Sequence, residues 1–208
     1  MRRTKAEAAE TRAAVLAAAE KMFFEKGVTS SRLEDIASAA GVTRGAVYWH
    51  FASKTDLFLE VYNAVQLPLI SMLDLEQAKE KGCDPLSFIE FVAQDWLELL
   101  ARDKQRQRML TILLRTNFTG EMERVQAAFD ALDAEQTQTL IEIFGKAESA
   151  NLLNPQWTAT SAALGLKWLM KGACWEWLLT GQKYDLAEVA GLGVKTLIAS
   201  FRKTPLPG

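Results

Sequence analysis

The stretch from Leu33 to Phe58, LEDIASAAGVTRGAVYWHFASKTDLF, constrains the fold more than any other part of this chain. It reads as two short helices meeting at a glycine, with a third helix starting immediately after. Leu33, Ile36, Ala37 and Ala40 recur at helical spacing and make one apolar edge, and Gly41 sits where a helix must end in a left-handed residue. Val42 restarts the apolar pattern. Thr43 is placed to cap a second helix whose Val47 and Phe51 point inward, which turns Arg44, Gly45, Tyr48, Trp49 and His50 outward. Packing gives no reason for polar and aromatic groups on that outer face. A helix-turn-helix does, because it lays such a face in the major groove against base edges and phosphates.

The segments TKAEAAETRAAVLAAAEKMFFEKGV and GVTRGAVYWHFASKTDLF resemble the TetR family of bacterial regulators, in its AcrR-type branch of multidrug-efflux repressors. The resemblance implies an all-α chain with an N-terminal three-helix DNA-binding domain and a helical ligand-binding and dimerisation domain, about nine helices in all. It also implies a homodimer that releases DNA when a small molecule binds the C-terminal domain. The expected boundary puts the helix-turn-helix domain at 1–56 and the second domain at 57–208.

At 208 residues, 49% of them apolar, the chain can bury one substantial core or a small domain joined to a larger one. No stretch approaches the roughly 20 uninterrupted apolar residues of a spanning helix, and MRRTKAEAAETR lacks the apolar core of a secretory signal, so a soluble cytoplasmic protein with no membrane partner is expected. Cys83 and Cys174 have no CxxC spacing and read as reduced thiols. The net charge of −2 hides an asymmetry. Residues 1–56 carry nine Lys/Arg against seven Asp/Glu, or +2, and the remainder fifteen against nineteen, or −4. Arg2, Arg3 and Lys5 make a basic arm, either along the phosphate backbone or simply solvated.

Helical punctuation continues to the C-terminus. Thr4 with Glu7, Ser31 with Glu34 and Ser53 with Asp56 resemble helix-opening capping boxes. The fourth helix is expected to run to about Lys81, and Pro68 inside it, a departure from the usual family pattern, predicts a bend between Ala64 and Pro68. The GCDP turn then opens a fifth helix with Phe88, Ile89, Val92, Trp96 and Leu99 on one side. The basic run Arg102–Arg108 reads as a solvated face. A long helix from Met122 carries Val125, Phe129, Leu132 and Ile143, interrupted on the same stripe by Gln136 and Thr139. The eighth, Thr158–Leu179, is apolar almost all round, and the ninth follows Asp185 with Val189, Val194, Leu197, Ile198 and Phe201 before a frayed tail from Thr204.

Arg44 is the residue best suited to bidentate pairing with guanine. By resemblance, Thr43, Arg44 and Gly45 contact bases, Tyr48, His50 and Lys54 hold phosphates, Trp49 does either, and Ser31 completes the DNA-facing set. Glycine inside a helix costs about 1 kcal/mol relative to alanine, so Gly45 marks either close approach of DNA or tight packing. His50 is the only histidine. With no His-based dyad, no glycine-rich phosphate loop and no GxSxG, the chain does not read as an enzyme, and neither metal nor cofactor is expected.

In the second domain, Val65, Ile89, Trp96, Met109, Leu113, Gln136, Thr139, Lys171 and Trp175 are the expected lining of a site for hydrophobic small molecules. Lys167 and Lys171 share one face of the eighth helix and must reach water, a carboxylate or a ligand. Gly165, Trp168, Gly172 and Leu179 make another face, read either as intrachain packing or, with Val194, Ile198 and Phe201, as a two-fold seam; the resemblance favours the seam. The expected function is a repressor of a palindromic operator, released by hydrophobic inducers and controlling an efflux operon. Control of catabolic or lipid-metabolism genes is the alternative. A small-molecule carrier with a repurposed helix-turn-helix is disfavoured by the joint presence of Thr43, Arg44, Tyr48, His50 and Lys54.

Overall fold

A computed structural model describes residues 5–65 and 71–203, Glu121 by its backbone alone. Ten α-helices and no strand occur among the described residues. They are α1 (Lys5–Lys26), α2 (Leu33–Ala39), α3 (Arg44–His50), α4 (Lys54–Ala64), α5 (Met72–Glu80), α6 (Pro85–Arg102), α7 (Lys104–Arg115), α8 (Glu123–Ser149), α9 (Ala159–Leu179) and α10 (Leu186–Phe201), with a 3-10 turn at Gly120–Met122. The chain divides into two compact units, Met1–Leu67 with Lys104–Ala128, and Pro68–Asp103 with Phe129–Gly208.

In the first unit α2, α3, α4 and α7 all pack on α1. Val15, Ala19, Met22 and Phe23 form its buried stripe. The Phe23 ring lies 5.9 Å from Phe58 of α4, which also meets Phe118 at 6.5 Å. Burying the Phe23 and Phe58 rings, which are no more than 1% exposed, stabilises the unit by about 1.5–3 kcal/mol each. α1 stops at Gly27, φ +80°, whose amide donates back to the Phe23 carbonyl. Glu20 is only 8% exposed and is answered by α7: Arg108 Nε donates to it at 2.7 Å and Gln105 Nε2 at 3.2 Å. The run Arg102–Arg108 is therefore not wholly a solvated face. A buried carboxylate requires such partners, and the apolar pattern of α1 gives no sign of them.

Three expectations need correction. Ser31 does not cap α2; its Oγ donates to the Gly27 carbonyl at 2.7 Å, and Arg32 occupies the cap position without a side-chain bond. The long fourth helix is two helices, since α4 ends at Ala64 and α5 opens at Ser71, whose side chain accepts from the Asp74 amide. That second start raises the count from nine to ten. Thr4, Pro68 with its expected bend, and the tail from Thr204 lie outside the described residues.

In the second unit α10 packs on α6 and α9, and α5 on α6. The buried side of α6 is Leu86, Phe88, Ile89, Ala93, Leu97 and Leu100, leaving Val92, Trp96 and Leu99 half-exposed. The stripe is thus rotated from the one expected. Phe201 closes the core between Phe144 at 5.4 Å and Trp157 at 4.8 Å, both edge-on. Just beyond it, the Asn154 amide donates to the Phe201 carbonyl at 2.7 Å and the Lys203 amide to Leu152 at 2.8 Å.

Asp84 caps α6, its Oδ1 accepting from the Leu86 and Ser87 amides at 2.9 and 3.0 Å, with Pro85 at the first helical position. Arg202 reaches it at 3.4 Å. Burial pulls the Asp84 carboxyl upward, but the hydrogen bonds from Ser87 and Leu86 and the charge of Arg202 prevail and hold it below the ordinary carboxylate range. A carboxyl lowered by folding contributes stability above its unfolded pKa of about 3.9, and that contribution is lost as pH falls toward the folded value. Asp84→Asn keeps a capping side chain and removes the charge. Urea titrations of both proteins are expected to show the variant less stable near neutrality, with the difference closing as pH drops from about 5 to 3.

Candidate nucleic-acid interface

The turn between α2 and α3 works because Gly41 adopts φ +68° and the Val42 amide returns to the Ala37 carbonyl at 3.0 Å. Thr43 caps α3, its Oγ1 accepting from the Ala46 amide at 3.2 Å. Val47 and Phe51 are buried and fix the roll of the helix. Thr43, Arg44, Gly45, Tyr48 and Trp49 are then exposed, Trp49 by 73% and edge-on to His50 at 4.5 Å. At the start of α4, Ser53 Oγ accepts from the Asp56 amide, and Lys54 Nζ donates to the Thr29 carbonyl at 3.3 Å. Ser31 is only 2% exposed and offers no surface to a duplex, which removes it from the DNA-facing set.

Arg44 is held on two sides. Its Nη1 lies 3.0 Å from Glu34 of α2, its Nη2 3.4 Å from the Tyr48 hydroxyl, and the guanidinium sits 5.2 Å over the Tyr48 ring. The Tyr48 hydrogen bond and then the Glu34 charge raise its pKa further above an already high value, so it is a permanent cation. Glu34 was not legible as part of this face, since its partner lies across the turn. A Cβ at Gly45 would meet nothing nearer than Thr43 Oγ1 at 3.9 Å, so packing within the protein does not require glycine there.

The expected ligand residues are divided between the units. Val65 and Met109 are buried, and Leu113 half-buried, in the first. In the second, Ile89 is buried, Gln136 is half-buried and the Thr139 hydroxyl donates to the Glu135 carbonyl of its own helix. Lys167 and Lys171 both reach a carboxylate: Asp133 Oδ2 and Oδ1 accept from them at 2.6 and 2.7 Å. Burial pushes the Asp133 carboxyl up, and the two lysine hydrogen bonds overcome this and bring it below its ordinary range. Lys171 also lies 5.7 Å over Trp175, which faces outward. Trp96 hydrogen-bonds the Cys174 thiol, which burial pushes up to about 11, an unreactive sulfur.

The expected seam is partly overturned. Val194, Ile198 and Phe201 are fully buried within the protomer, and a Cβ added at Gly165 would meet its own Trp157 and Phe201 at 3.8 and 4.0 Å. Trp168, Gly172 and Leu179 are exposed. What α10 shows to solvent is its opposite side, Val189 and Leu192, beside an open apolar groove of about 700 Å³ lined also by Leu169, Gly193, Thr196 and Leu197. Among the described residues no helix is long and apolar enough to cross a membrane and no cluster fits a metal ion.

A solvent-facing second helix of a helix-turn-helix, carried on an all-helical chain, defines a DNA-binding transcriptional regulator. Residues 15–61 match the family described as bacterial regulatory proteins, tetR family, and residues 84–203 the C-terminal region of MAATS-type transcriptional repressors. The chain belongs to the TetR family of transcriptional repressors, and it is a regulator rather than an enzyme. It is 37% identical over 203 residues to the HTH-type transcriptional repressor BepR of Brucella suis, covering 97% of each. Among solved structures it is similar to NalD, the secondary repressor of the MexAB-OprM multidrug efflux pump in Pseudomonas aeruginosa, with TM-score 0.82, 32% identity and coverage of 94% of this chain and 98% of that one. It is also similar to SmeT, a multidrug efflux pump repressor of Stenotrophomonas maltophilia, in complex with triclosan, with TM-score 0.78, 26% identity and coverage of 95% and 99%.

Two substitutions on α3 are expected to move stability in opposite directions. Thr43→Ala removes the cap and should lower the unfolding free energy by about 1 kcal/mol. Gly45→Ala enters open space in a helix and should raise it by about 0.5–1 kcal/mol. Denaturant titration of the two variants measures both signs.

Proposed function

We propose that the protein is a homodimeric, cytoplasmic repressor of a multidrug-efflux operon that binds a palindromic operator and leaves it when a hydrophobic small molecule occupies the C-terminal domain. The observation that carries this reading is the extent of the similarity to repressors of efflux pumps, which runs through nearly the whole chain rather than the helix-turn-helix alone. On this reading residues 1–56 read DNA and residues 57–208 sense the ligand and pair the subunits. Arg44 reads a base with Thr43 and Gly45 beside it, Tyr48, His50 and Lys54 hold phosphates, and Trp49 does either. The exposed side of α9 and α10, with Trp168, Leu179, Val189 and Leu192, forms the two-fold seam that spaces two recognition helices one turn of DNA apart, about 34 Å.

The test is binding of the purified protein to DNA upstream of its own gene, followed by anisotropy, with triclosan and a panel of dyes and antibiotics as competitors. Tight sequence-selective binding that one of these compounds weakens supports the proposal; binding no tighter than to random DNA rejects it. Arg44→Ala is expected to cost about 1–3 kcal/mol on the operator alone, whereas Lys54→Ala should weaken all duplexes and flatten the salt dependence by about one phosphate contact. Leu192→Glu buries a charge in the proposed seam. Sedimentation should then show monomers, and operator affinity should fall with them.

A further inference from the structure

Glu34 places a carboxylate on the surface expected to meet a polyanion, where it opposes binding unless it does something else. What it does in this structure is hold Arg44 Nη1 at 3.0 Å, while the Tyr48 hydroxyl takes Nη2 at 3.4 Å and the Tyr48 ring lies under the guanidinium. Glu34 is in the first turn of α2, Arg44 and Tyr48 are one turn apart on α3, and all three are largely exposed. The arrangement is therefore not a consequence of burial.

We infer that Glu34 is a specificity-determining residue: it neutralises and orients Arg44 so that the guanidinium is withheld from phosphates and offered to a base edge. A guanidinium carries five N–H groups. Glu34 and Tyr48 engage two, and the remaining ones keep a fork for a guanine O6 and N7. A phosphate approaching Arg44 in an arbitrary register has to compete with Glu34 for the same donors and meets its negative charge as well. A correctly placed base adds bonds without displacing Glu34, and the side chain, already held, has less rotamer freedom to lose. Glu34 thus lowers affinity for random DNA more than affinity for the operator. This rests on the reading of Arg44 as a base contact.

The test uses the full-length protein, an operator selected from a random duplex pool by the unmodified protein, and a random-sequence duplex. Affinities for both are measured over a range of salt for the parent, Glu34→Gln, Arg44→Ala and the double variant. Glu34→Gln is expected to raise affinity for random DNA about threefold to tenfold, to steepen its salt dependence by about one counterion, and, because operator affinity rises less, to reduce the operator-to-random ratio about twofold to fivefold. In the Arg44→Ala background the same change should leave the ratio nearly constant. An unaltered or increased ratio for Glu34→Gln overturns the inference, and an unaltered ratio with both affinities raised marks Glu34 as a general repulsive charge. An equal loss of ratio with and without Arg44 also overturns it, since Glu34 would then act independently of Arg44. If Arg44→Ala itself spares operator affinity, the base-contact reading has failed, and that outcome is distinct from both. Glu34 and Arg44 are exposed, and thermal melts of the four proteins verify that each is folded.

Discussion

The apolar stripe of α1 is the constraint on which the DNA-facing half of the molecule depends. Val15, Ala19, Met22 and Phe23 lie on the helix against which α2, α3, α4 and α7 all pack. The orientation of the outer face of α3 follows from this at one remove. Val47 and Phe51 are drawn inward, so Arg44, Tyr48 and Trp49 can only point away. The polar contacts around the stripe add direction more than energy. Arg12 pairs with Glu60 of α4, both side chains partly exposed, where such a pair contributes at most about 1 kcal/mol, and its guanidinium lies 5.6 Å over the buried Phe51 ring. Glu20 is different, because an unanswered buried carboxylate costs far more than an exposed pair gains.

Three sites show one carboxylate shared among several donors: Glu20 between Gln105 and Arg108, Asp133 between Lys167 and Lys171, and Asp84 among two amides, Ser87 and Arg202. In each, a single acidic residue joins elements far apart in sequence. These are also the places where charge would be hardest to remove without disturbing helix placement, and none of their groups belongs to the outer face of α3. Fold and recognition thus draw on separate sets of ionic groups, which leaves the recognition surface open to change.

The helix-turn-helix was legible in the sequence because two local signals agreed: the spacing of Leu33, Ile36 and Ala37, and a glycine at a position that takes φ +68°. The start of α6 was legible for the same kind of reason, Asp84 and Pro85 being an unambiguous cap. Where helices carry apolar residues around most of their circumference, periodicity identified the helix but not its inner side. α6 turned out to bury Ala93 and Leu97 rather than Val92 and Trp96, and α10 to bury Val194 and Ile198 while presenting Val189 and Leu192. The two answers differ by a rotation that only the neighbouring helices decide. Contacts between residues distant in sequence were invisible for a deeper reason: nothing near Glu20 announces Arg108, and nothing near Glu34 announces Arg44. The ligand-facing residues were read from composition alone, and composition does not say which aromatic groups line a space and which fill it.

The DNA-facing unit is discontinuous along the chain, and this has a consequence for how the protein is made. α7 and Met122 complete the surroundings of α1 and α4, with Glu20 and Phe58 both taking partners that come about sixty to ninety residues later. A nascent chain that has emerged only as far as α4 holds the entire helix-turn-helix motif, yet its Glu20 lacks Arg108 and its Phe58 lacks Phe118. Those contacts close loops of about sixty residues or more, and they cannot form before the later segment has been made. The unit is therefore complete only once synthesis has passed Met122, and a product truncated before α7 carries the whole motif without the partners of Glu20 and Phe58.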